Sequence, residues 1–499
     1  MNYQSTRNFN LSVKSAEAIK LGIAPDGGLF VPCDMPHVPE DELLSFKDLS
    51  YVEIANCILS KFLTDYTVDE IKDCTSKAYT AKKFESDKIA PVHKINDIEY
   101  VLELWHGPTC AFKDMALQIL PHFLTKAIKK TGEDKNVIIL VATSGDTGKA
   151  ALEGFKNVSG TKIQVFYPKN GVSDIQKLQM VTQDGNNVSV VAVEGNFDDA
   201  QTGVKKVFSN PQYNKEAAEL DYVFSSANSI NWGRLVPQIV YYFASYASLL
   251  ADNEIKCGDK INIVVPTGNF GNILAAYYAM NMGLPVKKLI CASNSNNVLT
   301  DFIKTGVYDR NREFETTISP SMDILISSNL ERLLFLMSGR NSEIVKNHMQ
   351  SLSENGKYEI SDDMKNKLKT VFYGGFCSDE DTKKTIKQIF DKYGYTMDTH
   401  TAVAQNVYQS YLMETGDNTK TVIASTANPY KFNESVLSAI NPEKSFDDMN
   451  EFELLEALKE KSGMEIPKSL SELKNKVVRF NASCKKDNLW DEIRKFLTK

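Results

Sequence analysis

The chain has 499 residues, 42% hydrophobic and 24% charged, with a formal net charge of −7. This is enough for two or three domains around a large core, and the acidic balance excludes a broad basic face for nucleic acid or anionic membrane. The longest apolar runs, such as Val137–Ala142, are too short to span a bilayer, and the first twenty residues lack the apolar core of a secretory signal.

Residues 1–90 read as mainly helical after a turn-rich opening at 24–32, APDGGLFVP. Residues 95–104 alternate as a strand, and a helix is expected over Asp114–Leu124. From about residue 137, apolar strands alternate with amphipathic helices. The strands are Asn136–Ala142, Lys162–Tyr167 and Val188–Val193, and the helices Lys149–Lys156, Asp174–Thr182 and Asp198–Ser209. A long apolar helix is expected at Leu235–Ala251. The strand Lys260–Val265 then leads through a glycine loop into a helix at Asn272–Met282, and further strands are expected at Val286–Ala292 and Thr419–Ala424. Residues 327–393 read as mostly helical, and the last 45 as surface helices. Such alternation predicts an α/β fold with two parallel or mixed sheets flanked by helices, its ligand sites at the C-terminal ends of strands. The expected division is a helical region 1–90, a large domain from 91–133 and 226–499, and a smaller inserted domain 134–225.

Eight cysteines lie scattered without C-x-x-C spacing, and six histidines show no H-E-x-x-H. They predict reduced thiols of a cytoplasmic protein and no metal site.

Four loops carry residue types suited to chemistry. In Gly107-Pro108-Thr109-Cys110-Ala111-Phe112-Lys113-Asp114, a lysine among apolar neighbours would be partly desolvated, with a lowered pKa and a nucleophilic amine. Taken alone, this string is better explained as a helix-start lysine reaching to water. Gly268-Asn269-Phe270-Gly271-Asn272 follows an apolar strand and opens a helix, which suits a phosphate monoester as well as it suits an ordinary strand–helix turn. Ser144-Gly145-Asp146-Thr147-Gly148 offers hydroxyls and N–H groups to a carboxylate, or simply helix caps. A nucleotide P-loop is excluded because Thr143 stands for its first glycine and Ala150 for its Ser/Thr. Asn228, Ser229, Asn231 and Arg234 precede the long apolar helix; the amides and hydroxyl offer neutral hydrogen bonds, and the arginine offers a fork for phosphate or a solvated helix start. Thr426, at the end of another strand, would place a hydroxyl against a pyridine nitrogen or form a turn before Pro429.

Together and in this order, these segments resemble the threonine synthases of the longer microbial and fungal type, among the fold-type II pyridoxal-phosphate enzymes. The resemblance runs along nearly the whole chain. It includes Tyr3-Gln4-Ser5-Thr6-Arg7, Ser319-Pro320-Ser321-Met322-Asp323-Ile324 and Ser327-Ser328-Asn329-Leu330-Glu331-Arg332. It implies that Lys113 forms the Schiff base with pyridoxal 5'-phosphate, that Gly268, Asn269, Phe270, Gly271 and Asn272 hold the cofactor phosphate, and that Thr426 faces its ring nitrogen. Ser144, Asp146 and Thr147 would engage the substrate carboxylate, and Asn228, Ser229, Asn231 and Arg234 are the candidates for the substrate phosphate. The implied reaction converts O-phospho-L-homoserine and water to L-threonine and phosphate, by a monomer without nucleic-acid or membrane partners. Asp398-Thr399-His400-Thr401-Ala402 resembles a further family string, with Thr399 where proline is usual. Cys110 stands where leucine is common, and Asn428 where histidine is. An enzyme that eliminates phosphate to a 2-keto acid, and a non-catalytic phosphate-binding protein, are the alternative readings.

Overall fold

The computed structural model describes residues 1–143, 145–169 and 172–499. Near the N-terminus, β1 (Tyr3–Ser5), β2 (Ser12–Val13) and β3 (Phe30–Pro32) form a small antiparallel sheet, with Tyr3 opposite both Val13 and Pro32. The helices Tyr51–Phe62 and Val68–Ala78 each begin with a capping box, on Ser50 and Thr67. The first buries Ile54, Ile58 and Phe62 in the same core as the long helix Trp232–Ala251.

β4 (Val92–Lys94) and β5 (Glu99–Glu103) pair as an antiparallel hairpin. The strand expected over 95–104 is therefore shorter. Asn96 Oδ1 accepts the N–H groups of Ile98 and Glu99, both at 3.0 Å, and turns the chain. The helix expected over Asp114–Leu124 is also divided, into Asp114–Leu117 and Leu120–Lys130. Pro121 has no N–H to give the Leu117 carbonyl. That carbonyl lies where Gly154 of a neighbouring helix leaves room, since a Cβ there would sit 2.0 Å from it.

Eleven further strands complete the sheets: β6 (Asn136–Ala142), β7 (Thr161–Pro168), β8 (Val188–Glu194), β9 (Tyr222–Ser225), β10 (Ile261–Pro266), β11 (Val286–Ser293), β12 (Val307–Asp309), β13 (Lys357–Glu359), β14 (Phe372–Phe376), β15 (Thr421–Ser425) and β16 (Ser483–Lys485). The larger sheet runs β14-β11-β10-β15-β5-β4, parallel except for β4 at its edge. The smaller runs β16-β8-β7-β6-β9 and is parallel throughout. β12 and β13 form a separate antiparallel pair. Helices cover both faces of each large sheet, which is why β10 is buried at every residue and reads as an unbroken apolar run.

Two elements depart from expectation. β14 lies in a stretch that reads as helical and extends the larger sheet. The C-terminal tail, grouped by its position in the chain with 226–499, returns to the smaller sheet. Ser483 pairs with Ala192 of β8, and the helix Leu489–Leu497 sets Leu489, Trp490 and Ile493 against Ile138, Leu140, Phe166 and Val191. Among the described residues, no helix is long and apolar enough to cross a membrane.

The neighbouring strands β10, β15 and β5 deliver, at their C-terminal ends, the glycine loop, the Thr426 segment and the Lys113 turn. β6 of the smaller sheet delivers the 143–148 loop.

Candidate active site

The lysine turn is fixed from two sides. The buried Asp114 carboxyl, which burial pushes up to about 6, accepts the Thr109 N–H and hydroxyl, both at 2.8 Å. The N–H of Phe112 donates to Thr426 O at 2.8 Å, and that of Asn428 to Cys110 O at 3.0 Å, stitching the turn to the end of β15. Lys113 leaves this turn with its side chain 12% exposed, Nζ 3.4 Å from Asp146 Oδ2 and 3.3 Å from Ser321 Oγ. Burial pushes its amine below the ordinary lysine value; Asp146 opposes the shift, and the cations Lys431 and Arg234 reinforce it.

The glycine loop is held by its carbonyls. Ser327 Oγ donates to Gly268 O at 2.8 Å, and the N–H and Nδ2 of Asn329 donate to Asn269 O at 3.0 and 3.1 Å. Arg332 Nη1 in turn holds Asn329 Oδ1 at 2.5 Å. Phe270 adopts a left-handed conformation, φ +63°, to turn the chain into the helix Gly271–Asn281. A Cβ on Gly268 would stand 2.7 Å from Ser321 O. With the carbonyls engaged, the N–H groups of residues 268–272 have no protein acceptor among the described residues, and they sit at the positive end of a helix. The side chain of Asn272 points its oxygen at Tyr241 Oη (2.5 Å) and Tyr242 Oη, leaving Nδ2 buried and unpartnered. Free N–H groups and an orphan amide donor suit a phosphate. Thr426 Oγ1 likewise has no protein partner among the described residues and is nearly buried, so a hydroxyl is at hand for a ring nitrogen. These residues fit pyridoxal phosphate.

Asp146 joins Lys113 to a second lysine. Its Oδ1 lies 2.7 Å from Nζ of Lys431, which is fully buried and also donates to Gln179 Oε1 at 2.7 Å and Thr109 O at 3.3 Å. Gln176 Nε2 adds a hydrogen bond to Asp146 Oδ1 at 2.9 Å. Burial alone would raise this carboxyl, but the Lys431 and Lys113 ammonium groups outweigh it and hold it well below the usual carboxylate range. The Asp146 side chain is thus an anion committed to lysines, and it would repel a substrate carboxylate. The N–H groups of Asp146 and Thr147, at the start of a ten-residue helix, have no acceptor among the described residues. Ser144 lies outside the described residues.

Of the candidates around the start of the long helix, Arg234 lies close enough to the lysine to act on its charge. It is 4% exposed, gives Nη1 to Ala227 O at 3.0 Å and leaves Nε unpartnered. Burial pulls its guanidinium down to about 10, and no carboxylate pairs with it among the described residues. Asn231 is a departure from expectation. Its Oδ1 caps Gly233 N–H at 2.8 Å, and its Nδ2 is spent on Ile19 O and Ser226 O at 3.0 and 3.1 Å, so no donor remains for a phosphate. Asn228 and Ser229 lie half-buried at the same corner.

Sequence reasoning missed Lys431, Gln176 and Gln179, and it assigned no task to Ser321 or His400. Lys431 carried the same signal as Lys113: a lone cation among Pro429, Tyr430 and Phe432 just past a strand end.

Comparison with known proteins accords with this arrangement. Residues 2–79 match the family model "Threonine synthase N terminus", 84–426 "Pyridoxal-phosphate dependent enzyme" and 401–488 "Threonine synthase, C-terminal". The chain is 40% identical over 435 residues to "Threonine synthase-like 1" of Homo sapiens, covering 85% of this chain but 58% of that protein's length. It is 38% identical over 440 residues to the threonine synthase of Pseudomonas aeruginosa, covering 88% and 90% of the two chains. The solved structure of PLP-bound threonine synthase from Brucella melitensis superposes over all of both chains, with a TM-score of 0.87 and 33% identity. The chain belongs to the threonine synthase family of pyridoxal-phosphate-dependent enzymes.

Proposed function

We propose that the protein is a threonine synthase, converting O-phospho-L-homoserine and water to L-threonine and phosphate with pyridoxal 5'-phosphate as cofactor. The observation that carries this reading is the convergence, at the C-terminal ends of β5 and β10 on either side of β15, of a buried lysine with a depressed pKa and a loop whose N–H groups have no acceptor among the described residues. In the proposal, the N–H groups of Gly268, Asn269, Phe270, Gly271 and Asn272 hold the cofactor phosphate, and Thr426 Oγ1 meets the ring nitrogen. When bound, the cofactor supplies an aldehyde that condenses with amines and a ring that takes up the electron pair released at Cα.

Each polar group around the lysine then has a task. Lys113 links to the cofactor and, once released, carries protons to and from Cα through Nζ. Asp146 and Lys431 keep that amine in place by charge. The N–H groups of Asp146 and Thr147, with Ser144, receive the substrate carboxylate. Arg234 Nε, with Asn228 and Ser229, receives the substrate phosphate. The smaller sheet, residues 134–225 together with the C-terminal tail, forms a domain separate from the larger one in this reading, and the protein works as a monomer in the cytoplasm.

Replacing Lys113 with Ala should abolish both the visible absorbance of the purified protein and threonine formation from phosphohomoserine. Retained turnover in K113A overturns the proposal. Phosphate release by the wild type with a 2-keto acid, and no threonine, identifies an eliminating enzyme instead.

A further inference from the structure

A second buried hydrogen-bond chain ends on Lys113. It begins at Asp398, the N-cap of the helix Thr399–Thr415, whose Oδ1 accepts the His400 N–H at 2.8 Å and faces His400 Nδ1 at 3.0 Å. Both side chains are almost wholly buried. The other ring nitrogen, Nε2, accepts the backbone N–H of Ser321 at 3.1 Å. A backbone N–H can only donate, so Nε2 must carry a lone pair, and the ring proton resides on Nδ1 and is donated to Asp398. Ser321 belongs to the short turn Pro320–Met322, and its Oγ lies 3.3 Å from Lys113 Nζ. The other end of the turn is tied by Asp323, which accepts from Thr317 N and Oγ1 at 3.0 and 2.7 Å and from Asn294 Nδ2 at 2.7 Å. Hydrogen bonds on both sides of the turn therefore locate one hydroxyl against the lysine.

We propose that Ser321 is the hydroxyl partner that sets the protonation of the Lys113 amine, and that His400, oriented by Asp398, is the positioning residue that holds Ser321 there. This rests on the reading of Lys113 as the reactive amine. The charged groups that face Lys113 are Asp146 from the helix Asp146–Phe155, Lys431 from the turn after β15 and Arg234 from the helix Trp232–Ala251. Asp146 only accepts, so it favours the ammonium form and repels the lone pair of the free amine. Lys431 has three N–H bonds and three acceptors, Asp146, Gln179 and Thr109. The Ser321 hydroxyl accepts from the ammonium and can donate to the amine, and because the bond to the charged form is the stronger, it supports the ammonium on balance while keeping a partner for the neutral amine. His400 reaches the lysine only through Ser321.

The test reads Lys113 in the cofactor-free full-length protein, as the pH dependence of its acylation by acetic anhydride, followed by peptide mass spectrometry. Ser321→Ala should lower the midpoint by about half to one pH unit, the size of one lost hydrogen bond to the charged form, and Ser321→Thr should keep it near wild type. His400→Leu should shift it in the same direction, and His400→Gln, whose Oε1 can accept the Ser321 N–H, should restore part of the shift. The double variant S321A/H400L should move no further than S321A, because both act through one hydroxyl. A midpoint unmoved in S321A overturns the inference, and if H400L fails to fold, S321A alone decides. Borohydride trapping of pyridoxal phosphate on wild-type Lys113 tests the parent reading separately. Trapping there with S321A unmoved sinks the inference alone, and no trapping at Lys113 sinks the reading beneath it.

Discussion

Lys113 and Lys431 share the two oxygens of Asp146, at 3.4 and 2.7 Å, with Asp146 and Lys431 almost wholly buried. A lone carboxylate in such a place is costly, and removing one partner of a buried pair leaves the other charge unpaid. Lys431→Met should therefore destabilise the protein by about 3–5 kcal/mol, read from urea unfolding. It should also raise the Lys113 amine, which loses a neighbouring cation while keeping its anion. Pairing K431M with Asp146→Asn should recover much of the stability, and purely additive losses would contradict the coupling. Lys113 was legible because it stands beside Phe112 and Ala111 in a turn that follows a strand. Lys431 has the same local look, but its partners lie 285 and 252 positions away in the numbering, at Asp146 and Gln179. No local pattern announces a contact of that kind. The pairing of the Asp146 side chain was hidden for the same reason: a helix-start aspartate looks like a cap until the distant lysine is seen.

At the scale of elements, the segment 327–332 and the N-terminal sheet act as one support. Thr6 Oγ1 donates to Glu331 Oε1 at 2.5 Å, and Arg7 grips the same carboxylate through Nε at 2.9 Å and Nη2 at 2.7 Å. Arg332 reaches Phe30 O at 2.9 Å and Ile230 O at 2.6 Å. Ser327 and Asn329, just before this pair, turn the carbonyls of Gly268 and Asn269 away from the site. Residues near the chain start thereby reach the glycine loop without touching a ligand. Arg7→Ala should weaken pyridoxal-phosphate binding to the apo protein about tenfold, or ~1.4 kcal/mol, measured by fluorescence titration. Unchanged affinity would confine Arg7 to fold stability. Apolar periodicity made the parallel strands and most helices readable. It did not register the break after Leu117, where a proline and a distant glycine act together, or β14, whose Gly374 and Gly375 carry no side chain to interrupt the helical pattern around them.

For the whole molecule, the decisive contact is the return of the tail to the smaller sheet. β16 covers the outer edge of β8, and Trp490 donates Nε1 to Glu216 at 2.9 Å while stacking on Tyr213. Charged, polar residues dominate the tail and suggest a surface helix; its apolar face, Leu489, Trp490, Ile493 and Leu497, finds its partner only in three dimensions. Truncation after residue 478 should uncover that edge and face. The shortened protein should be cleaved by protease within 134–225 much faster than the intact chain, and it should tend to associate through β8. Equal resistance of the two would show that the smaller sheet stands without its tail.

That return also sets an order of events during synthesis. β8 is made long before β16, which covers its outer edge in the finished sheet, with Ala192 pairing to Ser483 across 291 positions. A ribosome adding about 5–20 residues per second leaves this edge open for tens of seconds. The larger sheet has its strands by residue 425, whereas the smaller one closes only when translation is almost over. A nascent chain of this protein thus carries an unpaired strand edge through most of its birth, and it is there that a chaperone would find its work.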